Sequence, residues 1–443
     1  MIAVTEHLTV TAVKRMRHRT VKAGEEGVGH PPRVSTRRWR RLGGVSARGV
    51  RRHVGRLMPT AARSRPRCPG RCRPGARQPG RLPATGSTQD RTSTMPIVRL
   101  RTLFTMLLLA VCSLPLAAFA ARPDLTVMSY NIMQLPTQDW DQANRRNRLP
   151  AAIRGLAETP DVLVLQEVFT NEAYARLVDL QDLYPYRTGT VGYRCSGDGW
   201  NSISGACSNA ITVVRGGVVV LSRWPILEKH ALVYRASRYG SWDYLSNKGA
   251  AYVRLRKGGS DYHIIGTHLQ ASQTMVFDPG ADDRPDHAVR MAQLREMHDW
   301  IDGFGIARSE PVIIAGDLNV EYGRGDDVVE MLDTSATDLD YPASEPFRSF
   351  SARHNWLTKA NAYYGGFSLD YDQTLDYVLW RHDHLAPVEP AQQRVIALKS
   401  ADSWYWLWMR GWWDLPEGRV WHDGYHSELS DHYPVVATFR YDR

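Results

Sequence analysis

Acidic side chains are nearly missing from the start of this 443-residue chain: residues 1–94 hold 4 Asp+Glu against 22 Lys+Arg. The same stretch lacks any sustained apolar period, as in Arg63-Ser64-Arg65-Pro66-Arg67-Cys68-Pro69-Gly70-Arg71-Cys72-Arg73. A segment of that composition cannot bury a core. Cysteine is scarce, five in all, and only Cys195 and Cys207 fall beyond residue 120. Two thiols alone lack the further ligands that a zinc site needs. The remainder shows no internal repeat and no obvious linker, which argues for one long domain.

At Met95 the text changes. Arg99 and Arg101 precede an apolar run, Leu103 to Phe119, that closes on Ala118-Phe119-Ala120. This is the layout of a secretory signal peptide (95–120) cut after about Ala120, and the run is short for a membrane anchor. Translation is therefore expected to begin at Met95, with residues 1–94 a disordered basic extension arising from a start-site artefact. A basic nucleic-acid-binding tail is the competing reading. Residues 95–120 hold two Arg and no acid, so of 56 basic and 46 acidic groups 32 and 42 remain in residues 121–443, a net charge of −10. Such a domain lacks the basic surface on which sequence-independent nucleic-acid binding rests, and no nucleic-acid partner is expected. The expected product is a secreted monomer, extracellular or periplasmic. Export to an oxidising compartment makes a Cys195–Cys207 disulfide the expected state, bracing a Gly- and Ser-rich loop by about 2–3 kcal/mol.

The exported region reads as mixed α/β. Leu125–Tyr130, Val162–Gln166, Gly217–Leu221, Ala250–Leu255, Tyr262–Thr267, Val312–Ala315, Leu375–Trp380 and Tyr433–Phe439 are short β-branched-rich runs, and Arg145–Ala157 and His287–Ile301 carry helical spacing. Helices interspersed among strands suggest a layered sandwich with helices outside. Six of the apolar runs end in residues suited to a phosphate or a divalent cation: Asn131, Glu167, His268, Asp317 with Asn319, Asp376, and Asp431 with His432. A buried strand ending that way puts the side chain at the sheet edge, where ligands bind.

Those residue types suit phosphodiester hydrolysis, which needs a cation on the phosphoryl oxygens, a base for water and support for the departing alkoxide. Glu167 is a hard oxygen ligand of the kind Mg²⁺ takes, and Asn131 is expected to add an amide oxygen. Asp317 and Asn319, two apart on an extended segment, project to one side and can address one substrate together, although Gly-Asp-x-Asn is also good turn chemistry. His432 is the natural proton carrier, and Asp376 the favoured partner to fix its tautomer.

Tyr130-Asn131, Gln166-Glu167-Val168-Phe169, Gly266-Thr267-His268-Leu269-Gln270, Gly316-Asp317-Leu318-Asn319-Val320, Leu375-Asp376-Tyr377 and Ser430-Asp431-His432-Tyr433-Pro434 resemble, in order and approximate spacing, the endonuclease/exonuclease/phosphatase superfamily. Gly216 to Ile226, Leu245-Ser246-Asn247-Lys248-Gly249 and Gln270 are similar to the secreted bacterial sphingomyelinases C. The likeness runs from about Leu125 to Phe439. It implies a four-layer αββα sandwich of deoxyribonuclease-like fold and Mg²⁺-dependent cleavage of sphingomyelin to ceramide and phosphocholine, Mn²⁺ or Co²⁺ being able to substitute. It further implies Glu167 and Asn131 on the metal, with Asp431 on its other side or at a second ion. Asp317 and Asn319 orient water and phosphate, His432 is the general base steered by Asp376, and His268 donates to the phosphate or leaving group, oriented by Asp243. One departure stands out. Relatives carry an acid directly after the tryptophan of a Trp-Asp step, whereas Leu357 follows Trp356 here, so that role is vacant or filled by Asn355, Asp370 or Asp372.

Between Ser403 and Trp421 come six tryptophans, Trp404, Trp406, Trp408, Trp412, Trp413 and Trp421, with few charges. Aromatic side chains of this kind favour the headgroup boundary of a bilayer. The insertion around 401–426 is expected to dock on a sphingomyelin-containing membrane through Trp406, Trp408, Trp412 and Trp413, the competing reading being a satellite core under a long loop. Tryptophans near the site could also cradle a choline group. A secreted metal-dependent nuclease, a broader choline-phospholipid phosphodiesterase and a non-catalytic lipid-binding protein are the alternative functions.

Overall fold

The computed structural model describes residues 122–137, 139–273, 283–340, 348–365, 370–407 and 423–441. The expected basic extension and signal peptide, and Trp408, Trp412 and Trp413, lie outside them. Eleven strands carry the fold: β1 (Leu125–Gln134), β2 (Val162–Val168), β3 (Val219–Ser222), β4 (Ile226–Val233), β5 (Gly249–Lys257), β6 (Ser260–His268), β7 (Val312–Asp317), β8 (Asp376–Arg381), β9 (Lys399–Leu407), β10 (Asp423–Glu428) and β11 (Val435–Phe439). Five helices accompany them: α1 (Gln142–Arg154), α2 (Asn171–Arg176), α3 (Arg284–Asp302), α4 (Gly325–Ser335) and α5 (Trp356–Gly365). One sheet runs β11-β1-β2-β3 at its centre and the other β8-β7-β6-β5-β4, each closed by short edge strands.

Strand periodicity explains the layers. In β1 and β2, Val127, Val162 and Val164 join Val220, Ile264, Ile313 and Ala315 in the core between the sheets. Their neighbours Met128, Leu163 and Leu165 face outward onto Leu149 and Ile153 of α1. On the opposite side Ile265 and Ile314 pack on Leu294 and Met297 of α3 and on Val328 and Met331 of α4. Both faces of the inner strands are covered, so they read as unbroken apolar runs. The result is the expected αββα sandwich. The expected helix at 145–157 is found three residues earlier, because the Gly155 N–H already closes on Ala151 and Ala152 carbonyls. Pro285 in the first turn opens α3. Among the described residues no helix is long and apolar enough to cross a membrane.

The expected Cys195–Cys207 disulfide is present, with Cα atoms 5.5 Å apart. The aromatic insertion is a two-stranded ribbon, β9 against β10. Its alternation turns Trp404 and Trp406 inward, at 7% and 6% exposure, and Tyr405 outward at 48%. Trp406 therefore does not face lipid: it packs against Trp140 and Trp356, with ring centroids 6.2 and 5.9 Å away. For these two rings the satellite-core reading holds. Leu357 is buried in the same cluster with Met133, Trp140, Ala360 and Trp406. An acid there would be desolvated, so apolar packing accounts for the departure from relatives. Asn355, one candidate to replace that acid, instead caps α5, accepting the N–H groups of Leu357 and Thr358, while Asp370 is exposed.

Arg145, fully buried in α1, donates to the carbonyls of Trp140 (2.9 Å), Ile132 and Leu429 (each 3.0 Å) and Met133 (2.6 Å). One guanidinium thus joins the end of β1 to the residue preceding Ser430-Asp431-His432. We expect Arg145→Met to lower the unfolding free energy by roughly 3 kcal/mol, since several buried carbonyls lose their donor together. Urea denaturation measures it, and a change below about 1 kcal/mol would mean that water replaces the guanidinium.

Candidate active site

The strand ends converge. The β1–β2 register breaks between Asn131 and Gln134, and Met133 takes a positive φ of 48°. That turn brings the Met133 N–H onto Asn131 Oδ1 at 3.0 Å. The amide nitrogen is thereby pointed at two carboxylates, Glu167 Oε1 at 3.0 Å and Asp317 Oδ2 at 3.1 Å. Asn131 thus donates through Nδ2 and accepts through Oδ1 at the mouth of the site. Glu167 itself has φ 59°, a left-handed conformation that costs a non-glycine residue on the order of 1 kcal/mol. Gly217 makes room for it: a Cβ there would lie 3.1 Å from Glu167 Cα and 2.9 Å from the Phe169 ring.

At the start of β8, Asp376 Oδ2 accepts His432 Nδ1–H at 2.7 Å, both side chains being buried. Burial alone would lower the His432 pKa, but Asp376 and then Asp317 outweigh it and hold it well above the usual value. His432 Nε2 stands 3.9 Å from Asp317 Oδ2. The Phe350 ring packs on the imidazole at 4.8 Å.

His268 ends β6, parallel to β7, opposite Asp317. Its Nε2 lies 3.4 Å from Asp317 Oδ2 and 3.1 Å from Lys248 Nζ. A lysine Nζ donates and never accepts, so Nε2 takes the Lys248 proton and the imidazole carries its own on Nδ1. Nδ1 is buried without a partner. Burial, then Lys248 and His432, pushes the His268 pKa well below normal, keeping the ring neutral. Asp243 does not touch His268. It binds Lys248 Nζ at 2.8 Å, the Ala271 N–H at 2.7 Å and Gln273 at 2.9 Å, so its influence on the imidazole passes through Lys248. Sequence reasoning missed Lys248, although it stands in the Ser246 to Gly249 motif directly before the buried run of β5.

Asp317 Oδ1 accepts the Asn319 N–H at 3.1 Å, and Asn319 Nδ2 donates to Leu269 O at 3.2 Å. The turn chemistry is real, and both residues still line the cleft. Asp431 is held through Asn361 Nδ2 at 3.0 Å. A single cleft of about 180 Å³ takes in Glu167, His268, Asp317, Asn319, Asp431 and His432.

The donor set fits a divalent cation. Burial, and next Asp431, raise Glu167 to about 7, which records two acids close together in a dry place. A hard cation relieves that repulsion. Asp317, Asp376 and His432 also offer ligand atoms within 4.8 Å of one another. There, however, the His432 nitrogen nearest Asp376 already shares a proton with it, the arrangement of a base and its orienting acid rather than of a ligand set.

The profile of the Endonuclease/Exonuclease/phosphatase family matches residues 128–432. A sphingomyelinase C of Bacillus cereus is 32% identical over 318 residues, 71% of this chain and 88% of that protein. One of Listeria ivanovii is 32% identical over 305 residues, covering 68% and 80%. The crystal structure of sphingomyelinase C from Streptomyces griseocarneus superposes with a TM-score of 0.60 at 33% identity, covering 72% of this chain and all of that one. A mutant beta toxin from Staphylococcus aureus with bound magnesium ions superposes equally well at 27% identity, over 72% of this chain and all of that one.

Electrostatics at the site has a measurable sign. Glu167 is raised from 4.5 to about 7, and Asp317, by burial and then Asp376, from 3.8 to about 6. Between the unfolded and folded values the folded chain binds more protons, so metal-free stability falls as pH rises through that window. In EDTA we expect the thermal midpoint to drop from about pH 5 to about pH 8, and Glu167→Gln to flatten the slope. A midpoint rising over that window would contradict the assignment.

Proposed function

Because the chain belongs to the endonuclease/exonuclease/phosphatase family, and within it to the sphingomyelinases C, we propose that it is a Mg²⁺-dependent phosphodiesterase that cleaves sphingomyelin to ceramide and phosphocholine. The observation that carries this reading is the buried His432–Asp376 pair opening on the same cleft as Glu167, Asp431 and His268. When bound at Glu167 and Asp431, the divalent cation supplies neutralisation of charge on the phosphoryl oxygens.

In its unprotonated form His432 Nε2 removes a proton from water while Nδ1–H stays hydrogen-bonded to Asp376, and the water oxygen forms the new bond to phosphorus. The bond from phosphorus to the ceramide oxygen breaks, and that oxygen takes up a proton. Solvent water supplies that proton, and His268, held neutral, lends a hydrogen bond to the ceramide oxygen or to the phosphoryl group. Lys248 fixes the His268 tautomer and adds positive charge, and Asn131 keeps Glu167 and Asp317 in place. A nuclease on this scaffold is less well supported, since residues 121–443 carry a net charge of −10.

The proposal includes export after cleavage near Ala120, a monomeric state and peripheral contact with sphingomyelin membranes through Trp408, Trp412 and Trp413. The purified protein should release phosphocholine from sphingomyelin vesicles with Mg²⁺ and stop on adding EDTA, and His432→Ala should lose about 10³-fold in kcat with vesicle binding intact. Equal turnover of plasmid DNA, or none of any choline lipid, would reject the reading. Replacing Trp412 and Trp413 by Ala should weaken vesicle sedimentation at least several-fold and spare a soluble chromogenic phosphodiester. An unfolded double variant would place those rings in a core instead.

A further inference from the structure

The cleft does not stop at the catalytic histidines. Beyond His432 its lining continues over Phe350, Tyr371, Gln373 and Glu321. Two aromatic rings there are held by a small ribbon, in which Phe350 pairs with Gln373 and Ser351 with Asp372, while the Ala352 N–H bonds to Tyr371 O at 2.7 Å. The rings meet edge to face at 5.9 Å. The Tyr322 N–H bonds to Thr374 O at 3.1 Å, which brings Glu321 against the same ribbon.

Acids and arginines are mixed at this end of the cleft, and Arg284 is engaged with Asp327 at 2.7 Å. Glu321, Asp283 and Asp327 line it with two arginines, Arg290 and Arg324, and both arginines are committed to Asp283 Oδ2, at 2.7 and 3.3 Å. Three carboxylate oxygens, Asp283 Oδ1, Glu321 Oε2 and Asp372 Oδ1, are buried with no hydrogen-bond partner. Asp283 is itself only 6% exposed. Among the described residues these acids do not bring ligand atoms within 4.8 Å of one another as Asp317, Asp376 and His432 do. They are too dispersed for a small ion and suit a larger, diffuse cation. Burial raises Glu321 to about 7, offset in part by the Gly323 N–H, Arg348 and Arg324, and a cation beside it would favour its ionised form.

We propose that this end of the cleft seats the quaternary ammonium of a choline headgroup, with Phe350 and Tyr371 as its walls and Glu321 as its counter-charge, and so selects choline over ethanolamine lipids. The proposal rests on the reading of the chain as a lipid phosphodiesterase. A trimethylammonium spreads its charge over methyl groups, has no N–H to satisfy and is drawn to ring faces and to a carboxylate. A primary ammonium in the same space sets strongly hydrated N–H groups against ring carbons. Acyl chains gain nothing from unpaired carboxylate oxygens, which assigns this end to the headgroup.

The test compares kcat/KM on vesicles of sphingomyelin and of ceramide phosphoethanolamine, which share the ceramide and differ in the ammonium. The wild type should prefer sphingomyelin. Glu321→Gln and Tyr371→Ala should each shrink that preference at least tenfold, whereas Tyr371→Phe, which keeps the ring, should retain it. A preference unchanged within threefold in both variants, whatever happens to the overall rate, overturns the proposal. A wild type that cleaves both lipids equally overturns it too and leaves the hydrolase reading standing, while cleavage of neither overturns both. If Tyr371→Ala fails to fold, the Glu321→Gln ratio decides alone.

Discussion

The Asn131 side chain touches carboxylates from both sheets at once, Glu167 on the edge of one and Asp317 on the edge of the other. Everything catalytic is arranged around that contact, because Asp317 in turn faces His268 and His432. Four acids, Glu167, Asp317, Asp376 and Asp431, are gathered where water is scarce. Like charges in such a place repel unless each has a donor or a cation. The structure meets the condition one acid at a time: His432 for Asp376, Asn361 for Asp431, and the shared amide of Asn131 for the other two. What remains unmet is centred on Glu167 and Asp431, where a cation fits.

The two histidines are tuned in opposite directions by that crowding. His432 sits among acids and is held proton-avid, while His268 is faced by Lys248 and kept neutral. One cleft thus holds two imidazoles with different proton affinities, which identical surroundings would not produce. Strain supports the arrangement. Met133, Glu167 and Asn319 all take left-handed backbone conformations; Glu167 and Asn319 line the cleft, and the turn at Met133 aims the Asn131 amide at its carboxylates.

Outside the cleft, the aromatic ribbon divides its work. Trp406 completes a satellite core with Trp140, Trp356 and Leu357 and Trp404 packs in the cluster beneath α1, whereas Tyr405 and Tyr425 face outward with rings 5.5 Å apart. The buried half anchors the ribbon to α1 and α5. Leu357 belongs to that anchoring cluster, so it serves packing next to the site and not the proton relay.

The sequence by itself determined a great deal here. Strands buried on both faces must be continuous apolar runs, so β1, β2, β6, β7, β8 and β11 were legible, and chemistry-bearing residues at their ends named Asn131, Glu167, His268, Asp317, Asp376 and His432. The edge-proximal strand β4 and the ribbon were not legible, because their alternation is broken by bulges and by polar residues. Only the tertiary structure decided what each group faces. Lys248 between Asp243 and His268, Arg145 on four carbonyls, the Asn131 amide between Glu167 and Asp317, Trp406 turned inward and Glu321 brought to Tyr371 are all decided by how the chain folds back on itself. A residue's chemistry is local and can be read from its letter, but its pKa, tautomer and exposure are set by neighbours that folding alone brings within a few ångströms.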